Sequence, residues 1–279
     1  MMDWWQAIIL GVVEGLTEFL PISSTGHVTI ISKLFGFTIN SPDITAFTAI
    51  IQIGAIVAAI LFFRKDIVRI ALAWLDGLFN KKRRNNVDYR FGWAVLIGSL
   101  PIGIIGLLFK DHIETTLRSL WVVAVMLIVW SAVMWLADTR TTQKRGEKDT
   151  KWHDTLLIGL AQCLALIPGV SRSGATISVG LFRGFDRVTA TRLAFFLGIP
   201  ALLAAGVFQA ATQYEHISNG VGWGATIIAT IFSFIAGYAA VAWLIGFISK
   251  HSYKGFVVYR VCLGLLIMIL LTTGVVPAV

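Results

Sequence analysis

The chain has 279 residues, 57% of them hydrophobic and only 14% charged, against about 25% charge in an ordinary soluble domain. Several apolar runs reach the roughly 20 residues that a spanning helix requires, and none alternates polar with apolar as barrel strands do; an all-α polytopic membrane protein is expected, not a soluble domain or a barrel. The net charge of +8 marks no nucleic-acid face, because Lys and Arg gather in short connections between apolar runs, the positive-inside pattern of membrane proteins.

The first residues, MMDWWQ, are acidic rather than basic and lead into no small-residue cleavage pattern, which argues against a cleaved signal peptide. The first element, 4–37, is an apolar half-helix (4–20), the polar break PISSTGH, and a shorter apolar piece (28–37). Neither half is long enough to span alone. Non-helical backbone at membrane depth survives only when buried in protein or facing a water-filled cavity, so 4–37 is expected to be a re-entrant helical hairpin.

A span over 46–63 then enters the cytoplasm at Arg64, and 67–80 (IVRIALAWLDGLFN) reads as an amphipathic interfacial helix or a tilted short span. Segment 91–109 crosses out and 119–137 returns to a basic loop, 138–153. Residues 152–184 repeat the awkward pattern: 154–167, the break PGVSRSGAT, then 177–182. Segments 192–212, 224–248 and 255–276 complete the threading and end outside. All Lys and Arg except Lys33, Lys110, Arg118 and Arg172 then fall on or beside the cytoplasmic face. Cys163 and Cys262 lie in apolar segments and read as small buried hydrophobes, not as a disulfide or a metal site.

The two hairpins resemble each other. Gly11, Glu14, Leu16, Ser23 and Gly26 hold the same relative places as Gly159, Gln162, Leu164, Ser171 and Gly174, and a Phe-rich span follows each hairpin. One membrane domain is expected, with a first repeat over about 1–137, a second over about 152–279, and the loop 138–151 joining them. The threading puts the first hairpin outside and the second inside, an inverted-topology repeat; in such proteins broken helices meet near the midplane and build the substrate site.

Chemistry concentrates in the breaks. Glu14 and Glu18, at i and i+4, share one helix face, and each costs about 2.5–3.5 kcal/mol at a bilayer centre. They are either interfacial and solvated, or they line a polar cavity where they hold a divalent cation or accept a proton. Ser23, Ser24, Thr25, Gly26 and His27 form either a plain helix cap or an anion site at a helix N-terminus. Ser171, Arg172, Ser173, Gly174 and Thr176 suit a phosphate, since a guanidinium fork stands among hydroxyls and amides. The competing role for Arg172 is a structural pair with Glu14 or Glu18, which an empty site can also display. A pure anion channel has no use for carboxylates, so the inventory points to phosphoryl chemistry.

With these motifs, EGLTEFLPISSTGH and PGVSRSGAT, and with IIQIGAI between them, the chain resembles the undecaprenyl-diphosphate phosphatases, or bacitracin-resistance proteins, over nearly its whole length. The resemblance implies six spanning helices, two re-entrant hairpins and inverted repeats. It implies hydrolysis of the polyprenyl diphosphate carrier lipid to the monophosphate and phosphate at the outer face of the bacterial inner membrane, recycling the carrier for peptidoglycan synthesis. Carried over by motif, Ser24 is the nucleophile and Glu18 its base or a metal-side carboxylate, supported by Glu14. His27 contacts phosphate or protonates the leaving oxygen. Arg172 neutralises the transferred group, with Ser23, Thr25, Gly26, Ser171, Ser173, Gly174 and Thr176 around the phosphate. The family suggests Mg²⁺ or Ca²⁺, for which Glu14 and Glu18 are the ligands on offer. Inverted repeats are also transporter features, so a transporter or flippase of polyprenyl phosphate lipids is the alternative. Small-residue pairs such as Gly98 with Gly103, or Gly222 with Gly224, can pack helices within one chain or between two, which leaves a homodimer open.

Overall fold

A computed structural model describes residues 2–39, 41–108 and 119–274. Helix α1 (Trp4–Phe19) and α2 (Ser24–Leu34) flank the first break, and α3 (Pro42–Phe62), α4 (Arg64–Phe79), α5 (Val87–Leu108) and α6 (Leu120–Arg140) follow. The second break lies between α7 (Trp152–Cys163) and α8 (Arg172–Phe182). The chain ends with α9 (Arg187–Thr212), the short α10 (Tyr214–Asn219), α11 (Trp223–Ile248) and α12 (Lys254–Thr272). Among the described residues there is no strand, only one isolated bridge between Arg145 and Phe185.

Among the described residues six helices (α3, α5, α6, α9, α11 and α12) are long and apolar enough to cross a membrane. They match the six expected segments within a few residues, and α4 takes the place expected for the amphipathic stretch. Residue 109, Lys110, Arg118 and residues 275–276, used in the threading, lie outside the described residues. The second helix of each pair begins earlier than the apolar pattern suggests, at Ser24 rather than residue 28 and at Arg172 rather than residue 177. The reason is the serine just ahead of each: Ser23 Oγ accepts the Gly26 N–H and Ser171 Oγ accepts the Gly174 N–H. A satisfied N-cap starts the helix at once, whatever the hydropathy of its first turn.

Packing brings the broken helices inside. Helix α1 lies against α11, and α7 lies against α5; α3 packs on both α9 and α11, and α6 on α12. These approaches need residues without side chains, as close helix packing in membranes generally does. A Cβ on Gly11 would collide with the Ala229 carbonyl, and one on Gly159 with the Gly98 carbonyl. Gly98 therefore spends its smallness within the chain, while Gly103, Gly222 and Gly224 have open space where a Cβ would go. Cys163 is half-buried, but Cys262 lies exposed on α12, which corrects the expectation that both are buried; the helix turns that residue away from its α6 contact.

The connection between α6 and α7 is pinned by charge. Arg192 bonds Glu147 at 2.6 Å and Asp66 at 2.9 Å, tying the loop to α4 and α9. Asp154, fully buried, accepts from Arg145 (2.5 and 3.1 Å), Arg183 (2.8 Å) and the Lys151 N–H (3.1 Å). Burial pushes the Asp154 carboxyl upward, but the hydrogen bonds from Arg145, Arg183 and Lys151 more than offset it and hold it below the usual carboxylate range.

Two outcomes follow from this packing. Gly159→Leu is expected to force α7 off α5 and lower stability by about 3 kcal/mol or more, read as a drop in the unfolding midpoint in detergent. Because folding favours the ionised Asp154 carboxylate, its contribution is complete above the unfolded carboxylate value near pH 4 and fades as pH falls below it. The difference in midpoint between wild type and Asp154→Asn should therefore be large at pH 7 and shrink below about pH 4.

Candidate active site where the two helix breaks meet

The breaks face each other across a cavity of about 190 Å³. Ser23, Ser24 and Thr25 line it from the first, and Gly169, Ser171 and Arg172 from the second, with Glu18 and Gln52 on its wall. Both Ser23 and Ser171 have φ of 74°, a left-handed conformation that costs a non-glycine residue roughly 1–3 kcal/mol and recurs where geometry serves a site. Its effect here is directional. It turns the chain so sharply that the next residue, Ser24 or Arg172, becomes the first of its helix and lines the cavity.

Glu18 organises the centre. Its Oε2 accepts the Ser24 hydroxyl at 2.6 Å and its Oε1 accepts Arg172 Nη2 at 3.1 Å. Glu18 and Arg172 keep only 5% and 9% side-chain exposure. The pair is therefore largely desolvated, the setting in which loss of one partner strands the other charge. Arg172 Nη1 also bonds the Ala194 carbonyl at 3.1 Å, while its Nε is buried without a partner. One guanidinium donor thus remains unused beside the cavity that Arg172 lines. The arrangement sets a serine hydroxyl against a carboxylate and an arginine beside them, the parts needed to attack and neutralise a phosphoryl group.

Not every expected residue reaches the cavity. Glu14 is buried against the Glu18 carboxyl, with Oε1 unpartnered. Ser173 turns away to the Leu20 carbonyl (2.9 Å), joining the two breaks, and Thr176 bonds back to Arg172 O (2.8 Å). The Gly26 and Gly174 amides are taken by the capping serines. His27 is not on the wall: Nδ1 donates to the Ser23 carbonyl at 2.7 Å, which leaves Nε2 of the neutral ring to accept from Tyr259 O–H, also at 2.7 Å. The Tyr259 ring stacks on it at 5.7 Å.

For a divalent cation, the donor set is short. Among the described residues no group of three or more His, Cys, Asp or Glu gathers. The unpartnered buried oxygen of Glu14 beside Glu18 is nevertheless the kind of acceptor pair that fits a hard cation completed by phosphate oxygens and water.

Sequence reasoning missed Arg260. It was counted with the cytoplasmic cations, but it is fully buried on α12 and corrects that placement. Its guanidinium donates to Pro21 O (3.1 Å) on one break and to Gly169 O (2.9 Å) and Val170 O (3.1 Å) on the other, and to Ser131 Oγ (3.1 Å) on α6. No carboxylate pairs with it among the described residues. Gln52 was also passed over, although a lone amide inside an apolar span is a signal in itself. Replacing Arg260 by Met should leave these carbonyls unsatisfied at about 1–3 kcal/mol each. The expected result is a large fall in the unfolding midpoint together with loss of any activity that needs the two breaks in register, whereas Tyr259→Phe should leave the midpoint near wild type.

Residues 7–266 match the family described as bacitracin resistance protein BacA. Among curated proteins, the chain is 58% identical to undecaprenyl-diphosphatase 3 of Frankia casuarinae over 277 residues, covering 99% of this chain and 100% of that one. It is 55% identical to the undecaprenyl-diphosphatase of Cutibacterium acnes, covering 99% and 100%, and 50% identical to that of Nocardioides sp., covering all of both chains.

Proposed function

The chain belongs to the bacitracin resistance protein BacA family, and from that premise we propose how its residues carry out the family's reaction. It is a multi-pass membrane hydrolase that converts undecaprenyl diphosphate to undecaprenyl phosphate and inorganic phosphate, as the names of relatives at up to 58% identity over the full length state. This returns the carrier lipid for peptidoglycan synthesis.

The contact that carries the residue assignment is Ser24 Oγ on Glu18 Oε2 at 2.6 Å, with Arg172 on the other oxygen of Glu18. In the proposed reaction the terminal phosphate enters the cavity and Arg172 swings its donors onto it, releasing Glu18 Oε1. Ser24 Oγ attacks the terminal phosphorus, and its proton passes to Glu18. The bond between that phosphorus and the bridging oxygen breaks, and the lipid monophosphate leaves. Glu18 passes that proton to the departing bridging oxygen, then takes a proton from the water that attacks the phosphoserine. The Oγ–P bond breaks, inorganic phosphate leaves, and Glu18 returns the proton to Ser24 Oγ. Arg172 offsets charge on the transferred group at every step, a role for which a guanidinium in a low-dielectric pocket is well suited. Ser171 and Thr25 line the path of the phosphate. His27 acts from behind, holding the Ser23 carbonyl and so the strained turn that aims Ser24. A divalent cation, Mg²⁺ or Ca²⁺, would be held by Glu14 and Glu18 and supplies further charge neutralisation when bound.

We place the cavity on the outer side of the bacterial inner membrane, since the basic connections favour the opposite face as cytoplasmic. The two hairpins are re-entrant and related by an inverted repeat; the matching φ of Ser23 and Ser171 supports this. A transporter reading has no use for a serine hydroxyl held on a carboxylate.

The test is phosphate release from a C55 or C15 prenyl diphosphate by purified protein. Ser24→Ala and Arg172→Ala are expected to lose about 10³-fold or more in kcat/KM, in the range for loss of a nucleophile or of a charge-neutralising arginine. Chelation with EDTA should abolish turnover, and Mg²⁺ or Ca²⁺ should restore it. Turnover unaffected by Ser24→Ala would remove the phosphoserine route and leave direct attack by water.

A further inference from the structure

A second cavity, larger than the one between the breaks, lies elsewhere in the molecule. About 670 Å³ opens at the ends of α5, α7 and α8, on the face of the basic connections. Arg90, Arg145, Lys148, Lys151, His153 and Arg183 line it, with Asp149 as the one carboxylate on its wall.

Its floor is built, not merely crowded. The buried Asp154 holds Arg145 by two hydrogen bonds and Arg183 by one, and Arg145 lies over the Phe185 ring at 4.3 Å. Those two guanidinium groups are fixed in place with part of their charge answered from inside. Asp149 spends one oxygen on the Gly146 N–H at 2.9 Å. By contrast, Arg90, Lys148 and Lys151 are exposed and make no ion pair among the described residues. Five cations, two of them held by Asp154, thus face one cavity against a single carboxylate on its wall and one beneath its floor.

The surroundings are those of a membrane surface. Trp93, Leu96 and Leu100 form an exposed stripe on α5, and Trp152, Leu157 and Leu160 another on α7, the helix packed beside it. Both stripes begin at the cavity and run away from it in the same direction. A tryptophan at the head of each is the usual interfacial anchor, and basic pockets between helices at such a boundary suit phosphate head groups. Free phosphate would match the cavity alone; an amphiphile would match the cavity and the stripes together.

We propose that this cavity binds the phosphate head group of an anionic phospholipid, its acyl chains lying along the α5 and α7 stripes. The site lies at the opposite end of the α7–α8 hairpin from the second break and does not depend on the reaction proposed above.

Native mass spectrometry of the purified full chain, offered equimolar phosphatidylcholine, phosphatidylglycerol and cardiolipin, tests it. The comparison is with R90Q/K148Q/K151Q, whose replaced residues are all exposed. A single surface cation near anionic lipid is worth roughly fivefold in affinity, so the triple variant should retain the two anionic lipids at least about tenfold less, with phosphatidylcholine unchanged. If that variant proves unstable, R90E alone should show the same loss. A second arm adds millimolar inorganic phosphate: retained lipid and a thermal midpoint raised only by anionic lipid support the head-group site. Lipid stripped by phosphate, with phosphate itself raising the midpoint, would overturn it in favour of a free-phosphate site. Equal retention of anionic lipid by wild type and both variants would overturn it altogether.

Discussion

Everything at the centre of this protein depends on one constraint: backbone that leaves a helix inside a packed core must find partners for its N–H and C=O groups without water. The chain interrupts itself twice, and both interruptions are answered from within. Each capping serine takes up an amide of the helix it starts. Three further carbonyls go to Arg260, which reaches Pro21 in one break and Gly169 and Val170 in the other. A neutral donor could satisfy one or two of these oxygens, whereas the five donors of a guanidinium can hold both breaks at once. Arg260 thereby makes the distance between the breaks a property of the core rather than of the cavity.

That separation of tasks matters for the Glu18–Arg172 pair. A desolvated ion pair contributes little net stability, because the cost of removing two charges from water consumes most of their attraction. Such a pair is a poor strut but a good switch. In the proposed reaction a phosphate dianion offers Arg172 a stronger partner than one carboxylate oxygen, and the exchange frees Glu18 as Ser24 needs a base. With Arg260 and the Ser173–Leu20 hydrogen bond already holding the breaks together, the pair can open without loosening the fold.

Much of this was legible in the residues. Apolar run length placed the six spanning helices because hydrocarbon thickness dictates it, and polar residues inside greasy segments marked both breaks because lipid tolerates them only for a reason. What escaped was set by contacts distant in sequence. Arg260 sits six residues beyond Lys254 at the start of α12, where a cation ordinarily belongs to the interface; only packing against α6 and both breaks turns it inward. His27 read as a phosphate ligand from its place in the motif, but its ring is claimed by Tyr259 on the far side of the chain. The early start of α2 and α8 escaped for a different reason. Hydropathy describes where a helix is buried, while a serine cap decides where it begins.

The paired breaks also show how one device can supply two different chemical parts. Ser23 and Ser171 share the same φ and the same cap onto a glycine amide, so the residue after each is placed alike and lines the same cavity. In the first break that residue is Ser24, and in the second it is Arg172. In the proposed reaction, a hydroxyl in both places would leave the transferred phosphate without charge neutralisation, and an arginine in both would leave it without a nucleophile. The same divergence holds one helix earlier, where Glu14 corresponds to Gln162. Both are buried and both keep unpartnered polar atoms. Only Glu14 lies against Glu18, where a carboxylate can share a cation or a proton. A second carboxylate at position 162 would bring an uncompensated charge into the core, and the amide keeps the shape without it. The two breaks therefore share one serine geometry and still place unlike side chains on a single cavity.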